Sequence, residues 1–285
     1  MPNDSLATRT DALLASIARL ERVAVAYSGG VDSAVVAKAA RLALGDDAIA
    51  VTAVSPSLAS GELENAKQVV EQIGIRHELL HTNEFDQSGY VANAPNRCFF
   101  CKTELYTQLA EARERLGFKA ILNGANLDDR GDHRPGMQAA TDHQVISPLL
   151  DAGFSKADVR ALARQWQLPV WDKPASPCLA SRLAYGVEVT PERVARVDAA
   201  ERFLRDEFEL SELRVRMESN ELARIEVPLT ALPRLIDDEK RRGIVAKMTD
   251  LGFRYVTLDL AGFRSGSLNA VIPVESLLTA RSDSR

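Results

Sequence analysis

The chain has 285 residues, 46% of them hydrophobic and 26% charged, which allows one large core or two ordinary ones and excludes a disordered or fibrous protein. Thirty-five Lys and Arg stand against forty Asp and Glu, and a formal charge of -5 argues against affinity built on a broad phosphate-backbone field. No apolar run is long enough to span a bilayer and MPNDSLATRTD lacks the layout of a secretory leader, so a cytoplasmic protein is expected. Three cysteines, an odd number, disfavour a disulfide framework and point to thiol or metal chemistry.

Leu6, Leu13, Ile17 and Leu20 keep a helical period ahead of the unbroken run Val23 to Tyr27, which reads as a buried strand. SGGVDS then turns the chain, and Val31, Val35, Ala39 and Leu42 begin a second helical stripe. The strand pattern returns at Ala48 to Val54 and the helical one at Leu63, Ala66, Val70 and Ile73, while Glu78 to Leu80 and Ala120 to Leu122 suggest further strands. This alternation predicts an α/β fold, a parallel sheet with helices on both faces. Near residue 185, AYGVEVTPER supplies a glycine, an N-cap at Thr190 and Pro191 at the first helical position, which reads as a linker entering a helix. A helix to about Phe208 follows, then strands at Leu213 to Met217 and Ala223 to Val227, a helix through the 230s and 240s, and a strand at Tyr255 to Leu260. The expected division is a first domain over residues 1–185 and a smaller α+β domain over 186–285, ending in a frayed tail, TARSDSR.

Ser28 to Ser33 lie between a predicted strand and a predicted helix, where backbone N–H groups and the helix dipole make an anion site. Gly29 and Gly30 let the backbone approach a phosphate. A Walker A lysine and the GxGxxG spacing are both absent. The bland alternative is a tight turn capped by Ser28 or Asp32, but two glycines and two serines in strand-loop-helix context favour the anion site. The loop resembles that of the PP-loop ATP pyrophosphatases, an adenine nucleotide alpha hydrolase-like fold. The resemblance implies that Ser28, Gly29, Gly30, Asp32 and Ser33 bind ATP, that Asp32 sits near Mg²⁺, and that a carboxylate or carbonyl oxygen attacks the α phosphorus as pyrophosphate leaves.

Cys98 and Cys101 open a helical stripe continued by Leu105, Leu109 and Ala112, with Asn96 as the expected N-cap. Beside Arg97 and Lys102 at a first helical turn, accessible thiolates are expected, although small core residues would also fit the stripe. Cys178 lies in KPASPCLASR, a Pro-broken segment with no apolar period and little packing reason for a cysteine. Three thiolates could serve zinc, with a fourth ligand such as His133, or a 4Fe-4S cluster with one iron left open.

Together SGGVDS, RCFFCK, LNGANLDDRGDHRPG, KPASPCLASRLAYG, LRVR, ARIEV and YVTLDLAGFRSGSLN resemble the LarE family, from about Val23 to Asn269. These are ATP-dependent sulfur transferases that make the thiolated precursor of the nickel-pincer nucleotide cofactor of lactate racemase. The resemblance implies adenylation of pyridinium-3,5-dicarboxylate mononucleotide at a carboxylate with ATP and Mg²⁺, followed by displacement of AMP by sulfur. Single-cysteine members give up the sulfur of the cysteine equivalent to Cys178. This chain resembles three-cysteine members in which Cys98, Cys101 and Cys178 would hold a 4Fe-4S cluster. Catalytic roles then fall to Cys178 and Asp32.

Asn123, Asn126, Asp128 and Asp129 follow a predicted strand end, where open α/β sheets bind ligands, and the family likeness turns them toward nucleotide and metal, Asn126 as an ATP ligand. As a plain polar turn, GANLDD would serve equally. Arg214 and Arg216 alternate on a strand and share a face, and a guanidinium pair suits the substrate phosphate, with Arg264 as a third candidate. Otherwise they are two solvated strand arginines. His77, His81, His133 and His143 show no metal spacing. The expected partner is a small pyridinium mononucleotide, with no membrane or nucleic acid, and the resemblance implies a homo-oligomer, with a hexamer as one form. The main competing expectation is a PP-loop tRNA thiolase with a 4Fe-4S cluster. A ligase of the NAD-synthetase kind and a nucleotide-binding regulator share the loop but leave the cysteines unexplained.

Overall fold

Short runs of small and β-branched apolar residues suit strands buried on both faces. In the computed structural model, which describes residues 5–131 and 135–264, β1 (Val23–Ala26), β2 (Ala48–Val54) and β4 (Ala120–Leu122) are of this kind, and β3 (Arg76–His81) is a more polar edge strand. All four are parallel in the order β3-β2-β1-β4, with Val23 opposite both Ala48 and Ala120. Around them lie α1 (Leu6–Ala18), α2 (Val31–Leu44), α3 (Glu62–Ile73), α4 (Arg97–Glu111) and α5 (Lys156–Gln165). Val23, Val25, Ala48, Ala50 and Leu122 share one core with Leu13, Ile17, Val159 and Leu162, while Ala24, Ile49, Val51 and Ile121 face Leu105, Tyr106 and Leu109 of α4. Period two thus gives each face of the sheet its own core, and truncating the fully buried Leu109 to Ala would cost about 2–5 kcal/mol. The order of strands reverses at β1, which has β2 on one side and β4 on the other. The carboxyl ends of β1 and β4 therefore flank the crevice where open α/β sheets take ligands.

The chain divides into two compact units, the first of residues 1–55, 60–84 and 98–176, the second of 56–59, 85–97 and 177–285. The second contains α6 (Pro191–Phe208), β5 (Arg214–Glu218), β6 (Leu222–Glu226), α7 (Asp238–Asp250) and β7 (Tyr255–Leu258). Its sheet runs β5-β6-β7, antiparallel then parallel. Thr190 caps α6 and Pro191 opens it, as the sequence indicates. The helix expected through the 230s and 240s is instead broken at Asp237, whose extended backbone ends a short turn and whose carboxylate caps α7 through Glu239 and Lys240 N–H. β7 stops at Leu258 because Asp259 begins a turn, accepting Ala261 N–H on its side chain and Gly262 N–H on its carbonyl. The tail TARSDSR lies outside the described residues. Among the described residues no helix is long and apolar enough to cross a membrane.

Candidate active site

The loop between β1 and α2 is shaped to present backbone N–H groups. Gly29 takes φ +74°, a left-handed conformation, and a Cβ built there would lie 3.2 Å from Ala66 Cβ on α3. Gly30 is extended at the N-cap of α2, and no side chain caps that helix. By contrast, Ser5, Ser155, Thr190 and Asp237 cap α1, α5, α6 and α7 with side-chain oxygens. The first-turn N–H groups of α2, at the positive end of its dipole, are left to receive an anion. The buried Ser33 hydroxyl closes the loop: Oγ donates to Gly30 O at 3.1 Å, accepts Ser28 N–H at 3.2 Å and meets Ser28 Oγ at 3.2 Å.

Asp32 stands in the first turn of α2. Asn126 Nδ2 donates to its Oδ1 at 3.0 Å, and Lys156 Nζ donates to its Oδ2 at 2.5 Å. Lys156 is the first residue of α5, inside a capping box made by Ser155 and Asp158. Its own backbone N–H donates to Asp128 Oδ2 at 2.9 Å, and the Asn126 backbone N–H donates to Asp129 Oδ2 at 2.9 Å. Asn123 Oδ1 accepts Ala125 N–H at 3.1 Å and holds the start of this wall. Gly124 permits the close approach, since a Cβ there would lie 2.8 Å from Ser33 N. Ser28, Gly29, Gly30, Asp32, Ser33 and Asn126 are thereby gathered at the carboxyl ends of β1 and β4. With its side chain 24% exposed, Asp32 suits Mg²⁺ delivered on phosphates, an ion that takes one or two carboxylates together with phosphate oxygens. Beside the loop, burial and then the Glu62 carboxylate push the Tyr27 hydroxyl up, and Glu62 itself is paired with Lys173 at 2.7 Å.

Cys98 and Cys101 lie one turn apart on α4 in the first unit, exposed and half-buried respectively, and the exposed Cys178 belongs to the second. None is in a disulfide. Among the described residues no three His, Cys, Asp or Glu side chains form a group that could hold a metal ion, and His133 lies outside those residues. The backbone around Cys178 is firmly held. Arg182, 2% exposed, donates from Nη1 to the carbonyls of Pro177 and Cys178 and from Nε to Glu201 Oε1 at 3.0 Å. Ser181 Oγ donates to Cys178 O at 2.7 Å, and Leu179 N–H donates to Ser57 O at 2.9 Å. Arg97, the residue before Cys98, is buried and donates to Asn93 Oδ1 at 2.5 Å and to Ala180 O at 2.8 Å. An exposed thiol on a fixed backbone loses little freedom when it reacts or binds.

A family model for NAD synthase matches residues 11–119, the part that carries the loop. An uncharacterized protein of Synechocystis sp. is 47% identical over 89% of this chain and 94% of its own length. The pyridinium-3,5-bisthiocarboxylic acid mononucleotide synthase of Lactiplantibacillus plantarum is 36% identical over 96% of this chain and 99% of its own. The chain belongs to the LarE family. It is an ATP-dependent sulfur transferase with a PP-loop α/β domain. A tRNA-specific 2-thiouridylase of Beijerinckia indica is 31% identical over 55% of this chain and 45% of its own length, so that likeness is partial.

In this LarE-family chain the three arginines foreseen for a phosphate have different surroundings. Arg216 is 5% exposed and donates to Ser181 O at 2.9 Å and Glu226 Oε2 at 3.0 Å. Arg214, half-buried, donates to Leu213 O and lies 5.2 Å from the Phe263 ring centroid. Burial, and then the nearby Arg182 charge, push the Arg214 guanidinium down to about 10. Arg264 is exposed and sits 3.5 Å from Asp259. Sequence reading missed Lys156, Asn93, Arg182 and Glu201. Only Lys156 carried a local signal, a cation at the first position of a helix, where the dipole disfavours it.

Proposed function

We propose that the chain uses ATP and Mg²⁺ to adenylate a carboxylate of pyridinium-3,5-dicarboxylate mononucleotide and converts it to a thiocarboxylate, a step toward the nickel-pincer nucleotide. The observation that carries this reading is the uncapped N-terminus of α2 beneath the Ser28–Ser33 loop, with Asp32 beside it. Ser28, Gly29, Gly30 and Ser33 cradle the nucleotide phosphates, Asn126 orients Asp32, and Asp32 takes the Mg²⁺. The substrate carboxylate attacks the α phosphorus, pyrophosphate departs, and sulfur attacks the acyl carbon as the bond to AMP breaks.

The substrate phosphate belongs to Arg214, Arg216 and Arg264 in the second domain, residues 186–285, which also serves oligomerisation, while residues 1–185 serve ATP. Support comes from the depressed Arg214: a half-buried cation beside like charges is relieved by an anion. Cys178 is the catalytic thiol. Cys98, Cys101 and Cys178 together are the ligands of a 4Fe-4S cluster. The donor set fits, since three cysteine sulfurs outside disulfides can be thiolate ligands. Such a cluster, held by these three residues, would supply a place for sulfide. We place the protein in the cytoplasm as a homo-oligomer, a hexamer being one form, acting on a small molecule and not on nucleic acid.

The test is anaerobic purification followed by incubation with ATP, Mg²⁺, sulfide and the dicarboxylate mononucleotide. Pyrophosphate and thiocarboxylate in equal amounts, with iron and sulfide in the protein, support the reading. Pyrophosphate without iron, together with conversion of Cys178 to dehydroalanine in the intact mass, makes Cys178 the sulfur source. The half-length likeness to a tRNA thiouridylase favours tRNA as the alternative substrate. Thiolated tRNA in place of thiolated mononucleotide would replace the proposal.

A further inference from the structure

A groove in the first unit is built from elements that the reading above does not use. One wall is a stripe of α3, where Asn65, Gln68, Val69 and Gln72 keep the spacing of a single helical face; the other is the segment 169–173, beyond α5. Its volume is about 550 Å³, within the usual range for small-molecule sites. The walls are joined at both ends. Lys173 Nζ meets Glu62 Oε2 at 2.7 Å, and Gln72 Nε2 donates to Gln167 O at 3.0 Å. Positions 62 and 72 are ten residues apart on α3, so the two ties stand about 15 Å from each other. The second wall is braced from α5: Arg160 donates to Trp171 O at 2.9 Å and to Lys173 O at 3.1 Å, and Arg164 lies over the Trp171 ring, 5.2 Å from its centroid. A trough held open in this way needs little reordering when it is filled.

The residues that line the trough select its occupant. Val69 and Val170, 3% and 5% exposed, join Pro169 in an apolar patch that suits the face of a flat ring. Asn65, Gln68 and Asp172 also line it, and among the described residues their side chains have no hydrogen-bond partner. A carboxamide presents a donor beside an acceptor, the complement of the N6 and N7 edge of adenine, and a carboxylate accepts from the hydroxyls of a ribose. The cation among the lining residues, Lys173, is already paired with Glu62, while Asp172 is not paired, so a phosphate would meet repulsion rather than a partner. The ties at both ends also stop an extended polypeptide from threading the trough. We propose that this groove binds a neutral purine nucleoside, with the base on Val69 and Val170 and read by Asn65 and Gln68, and the ribose held by Asp172. This site is separate from the phosphate loop and does not depend on the adenylation reading.

The test is calorimetric titration of the full chain with adenosine in the presence of saturating Mg·ATP, which fills the phosphate-loop crevice and leaves the groove. One adenosine per chain is expected. Purine riboside, which lacks the exocyclic amine, should bind about threefold to tenfold more weakly, and 2′,3′-dideoxyadenosine, which lacks the diol, about tenfold more weakly. Gln68→Ala and Asp172→Ala should weaken adenosine by similar factors, and in Asp172→Ala the penalty for removing the diol should vanish. Both positions are exposed, so the variants are expected to fold and to keep the parental affinity for Mg·ATP. Absence of adenosine binding, its displacement by Mg·ATP, equal binding of cytidine, or parental affinity in both variants would overturn the proposal. A chain that bound adenosine in the groove but released no pyrophosphate with the dicarboxylate mononucleotide would lose the adenylation reading and keep this one.

Discussion

Both units carry arginine or lysine against carboxylate, but one pair at the mouth of the first unit's sheet and two pairs in the second differ in how far water reaches them. At the mouth of the parallel sheet, Asp32 and Lys156 meet with a quarter to a third of each side chain exposed. In the second unit the side chains of Arg182 and Glu201 are 2% and 3% exposed, and those of Arg216 and Glu226 are 6% and 0%. Exposed pairs contribute little to stability and exchange readily; buried ones fix a backbone and are costly to break. Accessibility, rather than the number of charges, separates pairs that exchange readily from pairs that are costly to break.

The largest effect expected on activity is at Gly29. Gly29→Val puts a β-branched residue at φ +74° and a Cβ against Ala66, and should abolish pyrophosphate release, a fall of more than about a thousandfold. Asp32→Ala should act in the same direction by removing the metal ligand, and parental release by either variant would refute the phosphate loop. On stability, Glu226→Ala leaves Arg216 charged and buried and should cost about 3–5 kcal/mol, whereas Asp32→Asn should cost no more than about 1 kcal/mol. Urea unfolding of the two variants side by side reads the contrast; equal losses would erase the distinction between the exposed pair and the buried one.

Between these lies Arg214. Loss of its charge in Arg214→Ala should raise the mononucleotide requirement by about 1.5–3 kcal/mol, roughly tenfold to a hundredfold, and leave ATP binding alone, with Lys restoring only part. Weakened ATP binding with intact mononucleotide binding would reverse the assignment. The smallest effect concerns His77, whose ring nitrogen meets Thr52 Oγ1 at 2.8 Å and whose ring packs edge-on to Tyr27. Burial, then the Lys67 charge, hold its imidazole below the ordinary value of about 6.5. The unfolded chain therefore takes up a proton before the native one does, and stability falls as pH drops below that value. Melting temperatures at neutral pH and near pH 5 should fall more steeply for the parent than for His77→Gln.

The parallel sheet was legible because short apolar runs alternate with 3.6-period stripes, and SGGVDS because two glycines stand where a strand must turn into a helix. Asp32 and Asn126 were each visible as polar residues after a strand, but their hydrogen bond joins positions 94 apart, a relation that local pattern does not carry. Lys156 carried a local signal, a cation at the first position of a helix, but its partner Asp32 lies far away in the chain. The buried arginines were hidden for the opposite reason: Arg182 lies in a polar, Pro-broken segment that reads as surface, yet its guanidinium is enclosed by carbonyls and Glu201. Asn93 offered even less, since its role depends on φ +53° and on donation to the carbonyls of Ala184 and Val187.

The threading of the chain has a consequence for its birth on the ribosome. Segments 56–59 and 85–97 are made early, but their own unit is completed only by residues from 177 onward. Asn93 waits for the carbonyls of Ala184 and Val187, and Ser57 O for the N–H of Leu179. A nascent chain stalled at residue 176 can close its parallel sheet and still carry buried-type groups without their acceptors. Such a fragment should be protease-sensitive at 85–97 and prone to capture by chaperones, and a split gene cut at that point should yield neither half in soluble, stable form unless the two are made together.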